Sequence, residues 1–374
     1  MKKILYYTIW DMTNPANGIV KKIWNQIHAL EKYGFCVDAV YRKNDADLVI
    51  WKNGKEEFIE RQMKNLYRLR ANRSLRIYLK RHKYDGIYIR YVYSEPEFYK
   101  LLKALKKDGT KIQVEIPTFP YDEELKDTAY DRMMLLLDRM FRNKMKKYVD
   151  RIAVISQNKD KEVFGVPAIE LKNGVDFSQI GLAVRNDKLR DYINIIAVAG
   201  FSKWHAFDRM ICGMGEYYRS GKTRNICLHL VGDGRESVVY KSLVEKYGLG
   251  DRVRFYGFKS GEELEELYET ADIALSSLGM HRVGLKVGQT LKSKEYGAKG
   301  LPIISEYRVE EYPEGEKYQL VVPMDESPVN IESVIRMYDA IMEGNVQQER
   351  KKIRDAVKKE ADMQVVMKPI ADFY

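Results

Sequence analysis

The chain has 374 residues, of which 45% are hydrophobic and 32% charged, and its formal net charge at pH 7 is +10. This length is enough for two domains with real cores, and this composition excludes a disordered chain. No apolar run approaches the roughly 20 residues needed to cross a bilayer, and the positive charge favours anionic partners: nucleotide phosphates, nucleic acid or an anionic membrane surface. Three scattered cysteines without metal-ligand spacing predict a reducing, cytoplasmic setting.

The first half alternates strands with helices. Two lysines near the start are followed by only a short apolar run, which predicts a strand at residues 3–9 rather than a signal peptide. Gly18 then opens a predicted helix that runs to about residue 33, and a glycine at this turn is typical of doubly wound folds. Asn53 and Gly54 predict a hairpin turn. Further strands are predicted at 35–41, 87–91, 111–116 and 151–156, and helices at 96–107 and 129–148.

The segment 61–83 is dense in lysine and arginine, with apolar residues between them. Helical spacing is plausible there, and two interpretations stay open. The basic face is either simply solvated, or it contacts an anionic membrane surface. Nucleic acid is not predicted as a partner because the chain contains no recognised DNA- or RNA-binding module.

The second half repeats the alternation more regularly and predicts a complete parallel α/β domain. Ligands in such folds bind beyond the carboxyl ends of the strands, so the chemistry is expected in the strand-to-helix loops. The predicted strands are 193–199, 226–231, 253–256, 273–276 and 301–304, the helices between them are 206–218, 237–247, 261–270 and 291–298, and the closing helices are 331–342 and 346–361.

The sequence KVGQTLKSKEYGAKGLPII, which starts at residue 286, is the strongest candidate for a phosphate site. Gly288 is expected to interrupt regular secondary structure, and Thr290 can cap a helix that begins at Leu291. A helix N-terminus offers unpaired N–H donors and partial positive charge, to which Lys292 adds a formal charge. Glu295, one turn further, can accept hydrogen bonds from sugar hydroxyls. An ordinary loop–helix–strand unit of an α/β domain explains the same residues.

Three earlier loops also leave strand ends and are suited to an anionic ligand with a flat base. They offer glycines for close approach, basic donors and an aromatic ring. These candidates are Gly200, Lys203, His205, Gly232, Gly234 and Phe258.

Taken in order, these loops resemble the nucleotide-binding domain of GT-B glycosyltransferases, specifically the retaining family 4, or group 1, enzymes. The resemblance covers roughly residues 170 to 305, and the first half matches only in outline, through Gly18 and the strand–helix rhythm. The motifs that carry it are NGVD at 173–176, GFSKWHAFDR at 200–209, LVGDG at 230–234, VRFYG at 253–257, and LKSKEY with the following GLP at 291–302.

The resemblance implies an α/β fold of two Rossmann-like, doubly wound domains that face each other across a cleft. An acceptor-side domain is expected at 1–172 and a donor-binding domain at 173–360, with 361–374 returning to the first. It also implies a retaining hexosyltransferase that moves a sugar from a nucleotide-diphospho-sugar to a glycan or lipid-linked acceptor. The expected setting is cell-surface polysaccharide or glycoconjugate synthesis, in the cytoplasm or on the inner membrane face.

The resemblance also suggests a role for each candidate residue, and no cofactor beyond the donor substrate. The catalytic candidates are Lys203, His205 and Glu295. The donor-binding candidates are Gly18, Gly200, Gly232, Gly234, Phe258, Gly288, Thr290, Leu291 and Lys292. The acceptor-side candidates are Glu115 and Thr118.

Some positions depart from the family pattern. Val287 stands where the family commonly has the first of two glutamates, His205 stands for the usual lysine, and Ala206 stands for the glycine after it. A histidine usual at the acceptor-side strand end is absent. A non-catalytic subunit that binds a partner or glycan, and a basic protein that binds nucleic acid or anionic lipid, therefore stay open.

No metal site is predicted. The sequence Asp45-Ala46-Asp47 spells the DxD of metal-dependent glycosyltransferases, but it precedes an apolar run instead of ending one.

Overall fold

A computed structural model describes residues 1–62, 67–122, 128–155, 161–184, 192–285 and 290–374. The chain forms two compact units: Met1–Lys172 with Met363–Tyr374, and Asn173–Asp362. Each unit has its own sheet and its own apolar cores. In the described part of the chain, no helix combines the length and the apolar character that crossing a membrane requires.

The first unit is built on a nine-stranded sheet in the order β4-β3-β2-β1-β5-β6-β7-β9-β8. Its strands are β1 (Lys3–Asp11), β2 (Cys36–Lys43), β3 (Asp47–Lys52), β4 (Lys55–Arg61), β5 (Gly86–Arg90), β6 (Lys111–Ile116), β7 (Arg151–Val154), β8 (Glu162–Val163) and β9 (Val166–Glu170). Its helices are α1 (Gly18–Lys32), α2 (Tyr67–Tyr78), α3 (Pro96–Lys107), α4 (Ala129–Phe141) and α11 (Met363–Ala371).

The central strands β1, β2, β5, β6 and β7 are parallel, so their carboxyl ends meet at one edge of the sheet. The predicted hairpin is confirmed: β3 and β4 pair antiparallel around Asn53 and Gly54, both of which have positive φ. The short strands β8 and β9 were not predicted. The last helix, α11, packs against α1, and the Tyr374 hydroxyl donates to the Ile87 carbonyl at 2.7 Å.

One helix prediction in this unit needs correction. The helix predicted at 129–148 ends at Phe141, and the tighter 3-10 turn Arg142–Lys147 follows it. This stretch contains Asn143, which is a poor helix former. In the segment 61–83 the helical spacing is confirmed by α2. Leu79 is buried whereas Ile77 is 49% exposed, and the choice between a solvated face and a membrane contact stays open.

The second unit has a six-stranded, fully parallel sheet in the order β12-β11-β10-β13-β14-β15. Its strands are β10 (Ile193–Val198), β11 (Ile226–Val231), β12 (Val253–Gly257), β13 (Ile273–Leu275), β14 (Ile303–Ser305) and β15 (Gln319–Val321). Its helices are α5 (Phe207–Arg219), α6 (Ser237–Tyr247), α7 (Glu262–Thr270), α8 (Leu291–Ala298), α9 (Ile331–Met342) and α10 (Val346–Ala361).

This strand order is that of a Rossmann domain, and it confirms the predicted parallel α/β domain. Chain order reverses between the neighbours β10 and β13. Such a switch point is where open α/β sheets bind ligands.

Candidate functional site

The loops that follow β10 and β13 are joined by backbone hydrogen bonds at the switch point. Leu278 N–H donates to the His205 carbonyl at 3.0 Å, and Gly279 N–H donates to the Trp204 carbonyl at 3.1 Å. Gly279 lies so close to the first loop that an added Cβ would be 2.8 Å from the Lys203 carbonyl oxygen. The two loops therefore form one rigid rim at the carboxyl end of the sheet.

His205 is a buried, neutral hydrogen-bond donor in this rim. It ends the 3-10 turn Lys203–His205, and its Nδ1 accepts the Ser202 N–H at 3.0 Å. Burial, with a smaller effect from Lys292, lowers the pKa of His205 to about 2. The ring is therefore neutral at physiological pH, and because Nδ1 accepts, Nε2 carries the proton. Lys203, at the start of the same turn, is exposed.

Lys292 brings a cation to the same rim from α8. Its Nζ donates to Ser277 Oγ, just after β13, at 3.2 Å and lies 5.8 Å from the centre of the Phe207 ring. Burial lowers the pKa of Lys292 to about 7, against the opposing attraction of Glu295. Glu295 lies three residues further, on the same face of α8. The structure thus brings Lys292 near both His205 and Glu295, and the predicted roles of these residues stay predictions.

The N-terminus of α8 is capped as predicted. Thr290 Oγ1 accepts the Ser293 N–H at 3.3 Å and lies 3.0 Å from the Tyr307 hydroxyl, which is itself 3.1 Å from Ser276 Oγ. The amides of Leu291 and Lys292 lie in the first turn, where no intrahelical acceptor exists. Residues 286–289 are outside the described residues, so the predicted role of Gly288 and the departure at Val287 are not placed.

The glycines of the second unit let neighbouring turns pack against each other. Gly232 has φ +120°, and an added Cβ would meet the Ala199 carbonyl oxygen at 1.9 Å. A Cβ on Gly234 would meet the Phe201 carbonyl oxygen at 2.4 Å. Gly200 is less restricted, since its nearest neighbour would be 3.9 Å away. The requirement for glycine at 232 and 234 thus comes from the chain's own backbone.

Phe258, the predicted seat for a flat base, follows β12 directly and is 72% exposed. The ring is therefore available to a ligand at the strand end, and most of its surface is not used for packing within the second unit.

An ionic cluster behind the rim was missed by the sequence analysis. Glu306, fully buried just after β14, accepts from the Met280 N–H, and its second oxygen lies 2.6 Å from His281 Nδ1. Arg209 is also buried, and its Nη1 donates to the Leu278 carbonyl at 2.5 Å. These contacts fix the loop after β13. Glu306, a charged residue directly after a buried strand, is the feature of the sequence that could have indicated this cluster.

Described residues of the first unit form two of its cavities at the carboxyl ends of β1, β5 and β6. They have volumes of about 460 and 310 Å³ and share Trp10 and Val92 in their walls. The larger is otherwise lined by polar groups such as Asp11, Asn17 and Arg42. The smaller is lined by Thr8, Trp10, Arg90, Tyr91, Val92, Ile116, Pro117, Thr118, Tyr121 and Asp131. Thr118 thus faces a cavity, and its acceptor-side role stays a prediction.

Glu115 does not reach either cavity, so its assignment as an acceptor-binding residue is corrected. Its carboxylate is fully buried, accepts from the Tyr88 hydroxyl and the Gln26 amide at 2.6 Å each, and pairs with Arg90. The cations Lys22 and Arg90 and these hydrogen bonds hold its pKa below the usual value, despite burial. Glu115 therefore positions Arg90, which does line the smaller cavity.

A second buried carboxylate, Asp138 on α4, supports the same cavity. Its oxygens accept from the hydroxyls of Tyr91 and Tyr121, the latter at 2.6 Å, and from the Ser94 N–H at 2.7 Å. Both tyrosines line the smaller cavity. Sequence analysis missed Asp138 because nothing local distinguishes it from the other charged residues of α4.

At the start of α1, Asn17 Oδ1 accepts the Ile19 N–H at 2.8 Å and caps the helix. Gly18 has no atom within 4 Å of an added Cβ. Packing within the chain therefore does not require glycine there, and the space stays open to a ligand. Among the residues with described positions, no group of three or more histidine, cysteine, aspartate or glutamate side chains is suited to a metal ion.

Comparison with known proteins agrees with the resemblance noted from the motifs. Residues 185–305 match the family model "Glycosyl transferases group 1". No curated protein sequence matches the chain significantly. The matched residues include the rim, α8 and the glycine turns, so the resemblance of the second unit to group 1 glycosyltransferases is confirmed. The finer assignment to retaining family 4 stays a prediction.

Solved structures match over nearly the whole chain. Sucrose-phosphate synthase from Thermosynechococcus elongatus has a TM-score of 0.67 at 16% identity, covering 100% of this chain and 98% of that one. A glycosyltransferase from Rickettsia africae has a TM-score of 0.67 at 13% identity, covering 100% and 97%. Anabaena HepE, solved with UDP-glucose, has a TM-score of 0.62 at 14% identity, covering 100% and 99%. The predicted GT-B fold, with two Rossmann-like domains, is confirmed.

Proposed function

We propose that this chain is a retaining glycosyltransferase that moves a sugar from a nucleotide-diphospho-sugar to a glycan or lipid-linked acceptor. The group 1 family match over the second unit supports sugar transfer, and HepE, which shares the fold, was solved with UDP-glucose. The observation that carries the proposal is the switch-point rim, where His205, Lys292 and the first amides of α8 converge.

In this proposal the rim holds the donor diphosphate. As the sugar departs and becomes oxocarbenium-like, negative charge grows on the diphosphate, and donors positioned for that charge lower the barrier. Lys292 supplies a cation, and His205 supplies a neutral Nε2–H that needs no proton transfer. Lys203 is exposed at the same turn and would close on the outer phosphate.

Glu295 would orient hydroxyls of the sugar or ribose, and Phe258 would stack on the base. In the first unit, Thr118 and the groups that line the two cavities would hold the acceptor. The transfer is proposed to need no protein nucleophile, no metal and no further cofactor. We place the reaction in the cytoplasm or on the inner membrane face, in cell-surface polysaccharide or glycoconjugate synthesis.

A nucleotide panel tests the donor site. UDP, GDP or ADP should raise the melting temperature, because a ligand at 100 times its Kd stabilises the fold by about 2.7 kcal/mol. The Lys292→Met variant should lose this shift. Lys359→Met, which removes an exposed lysine on α10 of the same unit, is the matched control and should keep it. A panel without any response would refute the donor site.

A non-catalytic subunit remains the second candidate because Val287 replaces a glutamate that the family commonly has. The two candidates differ in turnover. An enzyme should release nucleotide from the matching nucleotide-sugar, at least slowly by hydrolysis, whereas a binding subunit should bind the nucleotide and release nothing.

A further inference from the structure

Arg90 is a buried cation that reaches the smaller cavity of the first unit. It is the last residue of β5, is 8% exposed and lines the cavity wall. Its Nη1 donates to Glu115 Oε1, and its guanidinium also hydrogen-bonds with the Tyr6 hydroxyl. A guanidinium carries five N–H donors. In the described part of the chain, no nitrogen of Arg90 is both buried and without a hydrogen-bond partner. Its remaining donors therefore lie at the accessible surface, which here is the cavity wall.

Glu115 compensates the positive charge of Arg90 only in part. Lys22 Nζ lies 3.6 Å from Glu115 Oε1, the same oxygen that Arg90 contacts. Lys22 and Glu115 are buried, so water screens these charges poorly. Burial lowers the pKa of Lys22 to about 8, against the attraction of Glu115, and the positive charge of Arg90 lowers it further. Because the two cations share one oxygen, neither receives its whole charge.

The needs of Glu115 alone do not explain an arginine at this position. Lys22 already approaches the carboxylate from α1, and the hydroxyl of Tyr88 and the amide of Gln26 donate to its second oxygen at 2.6 Å each. A further buried cation adds a desolvation cost that this carboxylate repays only in part. A ligand that brings negative charge into the cavity would supply the rest.

The cavity has the size and the walls of a site for one sugar ring. Its volume of about 310 Å³ is at the lower end of the range for small-molecule pockets, which is about 300 to 1,000 Å³. Trp10 and two tyrosines supply aromatic surface, against which the C–H face of a sugar ring can pack. Thr118 and Asp131 offer a hydroxyl and a carboxylate to sugar hydroxyls. Asp131 repels an anion, so the favourable position for a negative group is beside Arg90.

We propose that the smaller cavity binds an anionic sugar, a uronic acid or a sugar phosphate, as the terminal unit of the acceptor. Its carboxylate or phosphate would pair with Arg90, whose planar guanidinium can form two parallel hydrogen bonds to either group. The ring would pack on Trp10, and its hydroxyls would bond to Thr118 and Asp131. The role as acceptor rests on the proposed function, whereas binding of the anionic sugar does not require a donor.

Isothermal titration of the full chain with monosaccharides, without any nucleotide, tests the site. The probes are the uronates and the 6-phosphates of glucose, galactose and mannose, with the three neutral sugars for comparison. At least one anionic sugar should bind about tenfold or more tightly than its neutral counterpart, because hydrogen bonds to a charged group are the stronger ones. Acetate and inorganic phosphate lack the ring and should bind more weakly than that sugar. The comparison of uronates with phosphates identifies which anion the site takes.

Variants of Arg90 locate the binding. Arg90→Gln should weaken binding of the anionic sugar about tenfold or more and leave binding of the neutral sugar unchanged. Arg73→Gln, which removes an exposed arginine on α2 of the same unit, is the matched control and should bind like the wild type. Since Arg90→Gln removes a partner of a buried carboxylate, the double variant R90Q/E115Q removes both charges together. It should also lose the anionic sugar, and the melting temperature of each variant shows whether the fold is kept.

Glu115→Gln alone has an effect of the opposite sign. It removes the carboxylate that competes with the ligand for Arg90, so the anionic sugar should bind this variant more tightly than the wild type. The same sugar should raise the melting temperature of the variant by more than that of the wild type. A purely structural role of the pair predicts no gain in affinity.

Transfer tests the role as acceptor. With the nucleotide-sugar that matches the preferred nucleotide, the tightest anionic sugar should accelerate nucleotide release, and Arg90→Gln should raise the KM for that sugar about tenfold or more. Nucleotide release that this sugar leaves unchanged would rule out its role as acceptor.

Three outcomes of the binding experiments would overturn the proposal. The first is the absence of any preference for anionic over neutral sugars. The second is binding of acetate or phosphate as tightly as the sugars, since the cavity would then be a simple anion site. The third is loss of the melting-temperature shift from nucleotides in Arg90→Gln, since Arg90 would then belong to the donor site. A normal nucleotide response without sugar binding refutes this inference alone, whereas sugar binding without a nucleotide response refutes the donor site alone.

Discussion

The pKa of Lys292 makes donor affinity depend on pH in a calculable way. In the free protein this pKa is about 7 because the amine is buried beside Phe207 and Ser277, with only Glu295 favouring its charge. At pH 7 about half of the molecules therefore carry a neutral Lys292. A bound diphosphate brings two negative charges to the rim and raises the pKa of Lys292. Binding therefore takes up about half a proton at pH 7.

The sign follows from this uptake. Below pH 7 Lys292 is already protonated, and affinity is independent of this group. Above pH 7, binding must first protonate the amine, so donor affinity falls about tenfold for each pH unit, or about 1.4 kcal/mol. At pH 8.5 the loss is about 30-fold, or about 2 kcal/mol. The fall ends when the pH reaches the pKa of Lys292 in the complex.

The assay is isothermal titration of the nucleotide-sugar whose nucleotide stabilises the protein best, between pH 6.5 and 8.5. A nucleotide-sugar is preferable to the free nucleotide because its diphosphate has no ionisation near neutrality. His205, with a pKa of about 2, stays neutral over this range and adds no slope.

The Lys292→Met variant should bind weakly with an affinity that does not change with pH, and Lys359→Met should keep the wild-type slope. The reasoning is refuted if wild-type affinity is flat across this range, or if Lys292→Met retains the slope. Titrations in two buffers with different ionisation enthalpies give the proton uptake directly.

Four further predictions concern single residues. His205→Gln keeps a neutral N–H donor and should retain more of the transfer rate than His205→Leu, which should lose about 100-fold in kcat. Gly232→Ala should cost about 3 kcal/mol or more in urea unfolding, because its Cβ would overlap the Ala199 carbonyl oxygen. Gly18→Ala should leave the melting temperature unchanged yet weaken donor binding; unchanged affinity would rule out close approach there. Glu115→Gln should lower the free energy of unfolding by about 3 to 5 kcal/mol, because it leaves the buried positive charges of Lys22 and Arg90 without their carboxylate partner. Adding Lys22→Met should restore part of this stability, because it removes one of the two charges.

Much of the second unit could be predicted from its sequence. Its buried parallel strands are short apolar runs, such as β11, which Gly232 follows, and Thr290 has the side chain that a helix N-terminus requires. The local pattern also placed the strand-to-helix loops, because every parallel strand delivers its following loop to the same edge of the sheet. The closing helices Ile331–Met342 and Val346–Ala361 lie where their periodicity predicts them.

The sequence by itself thus determined the alternation of strands and helices and the residue types available in each loop. Only the tertiary structure decided which of these residues are buried and which neighbours they have. Burial lowers the pKa of Lys292 to about 7, and its partner Ser277 follows β13, which pairs with β10, almost 80 residues away in the chain. Glu115 is a support for Arg90 rather than a ligand because side chains from α1 and β5 enclose it, and α4 is exposed on a face that its sequence does not distinguish. Periodicity is a property of neighbouring residues, whereas burial and electrostatic environment depend on contacts between segments that are far apart in the chain.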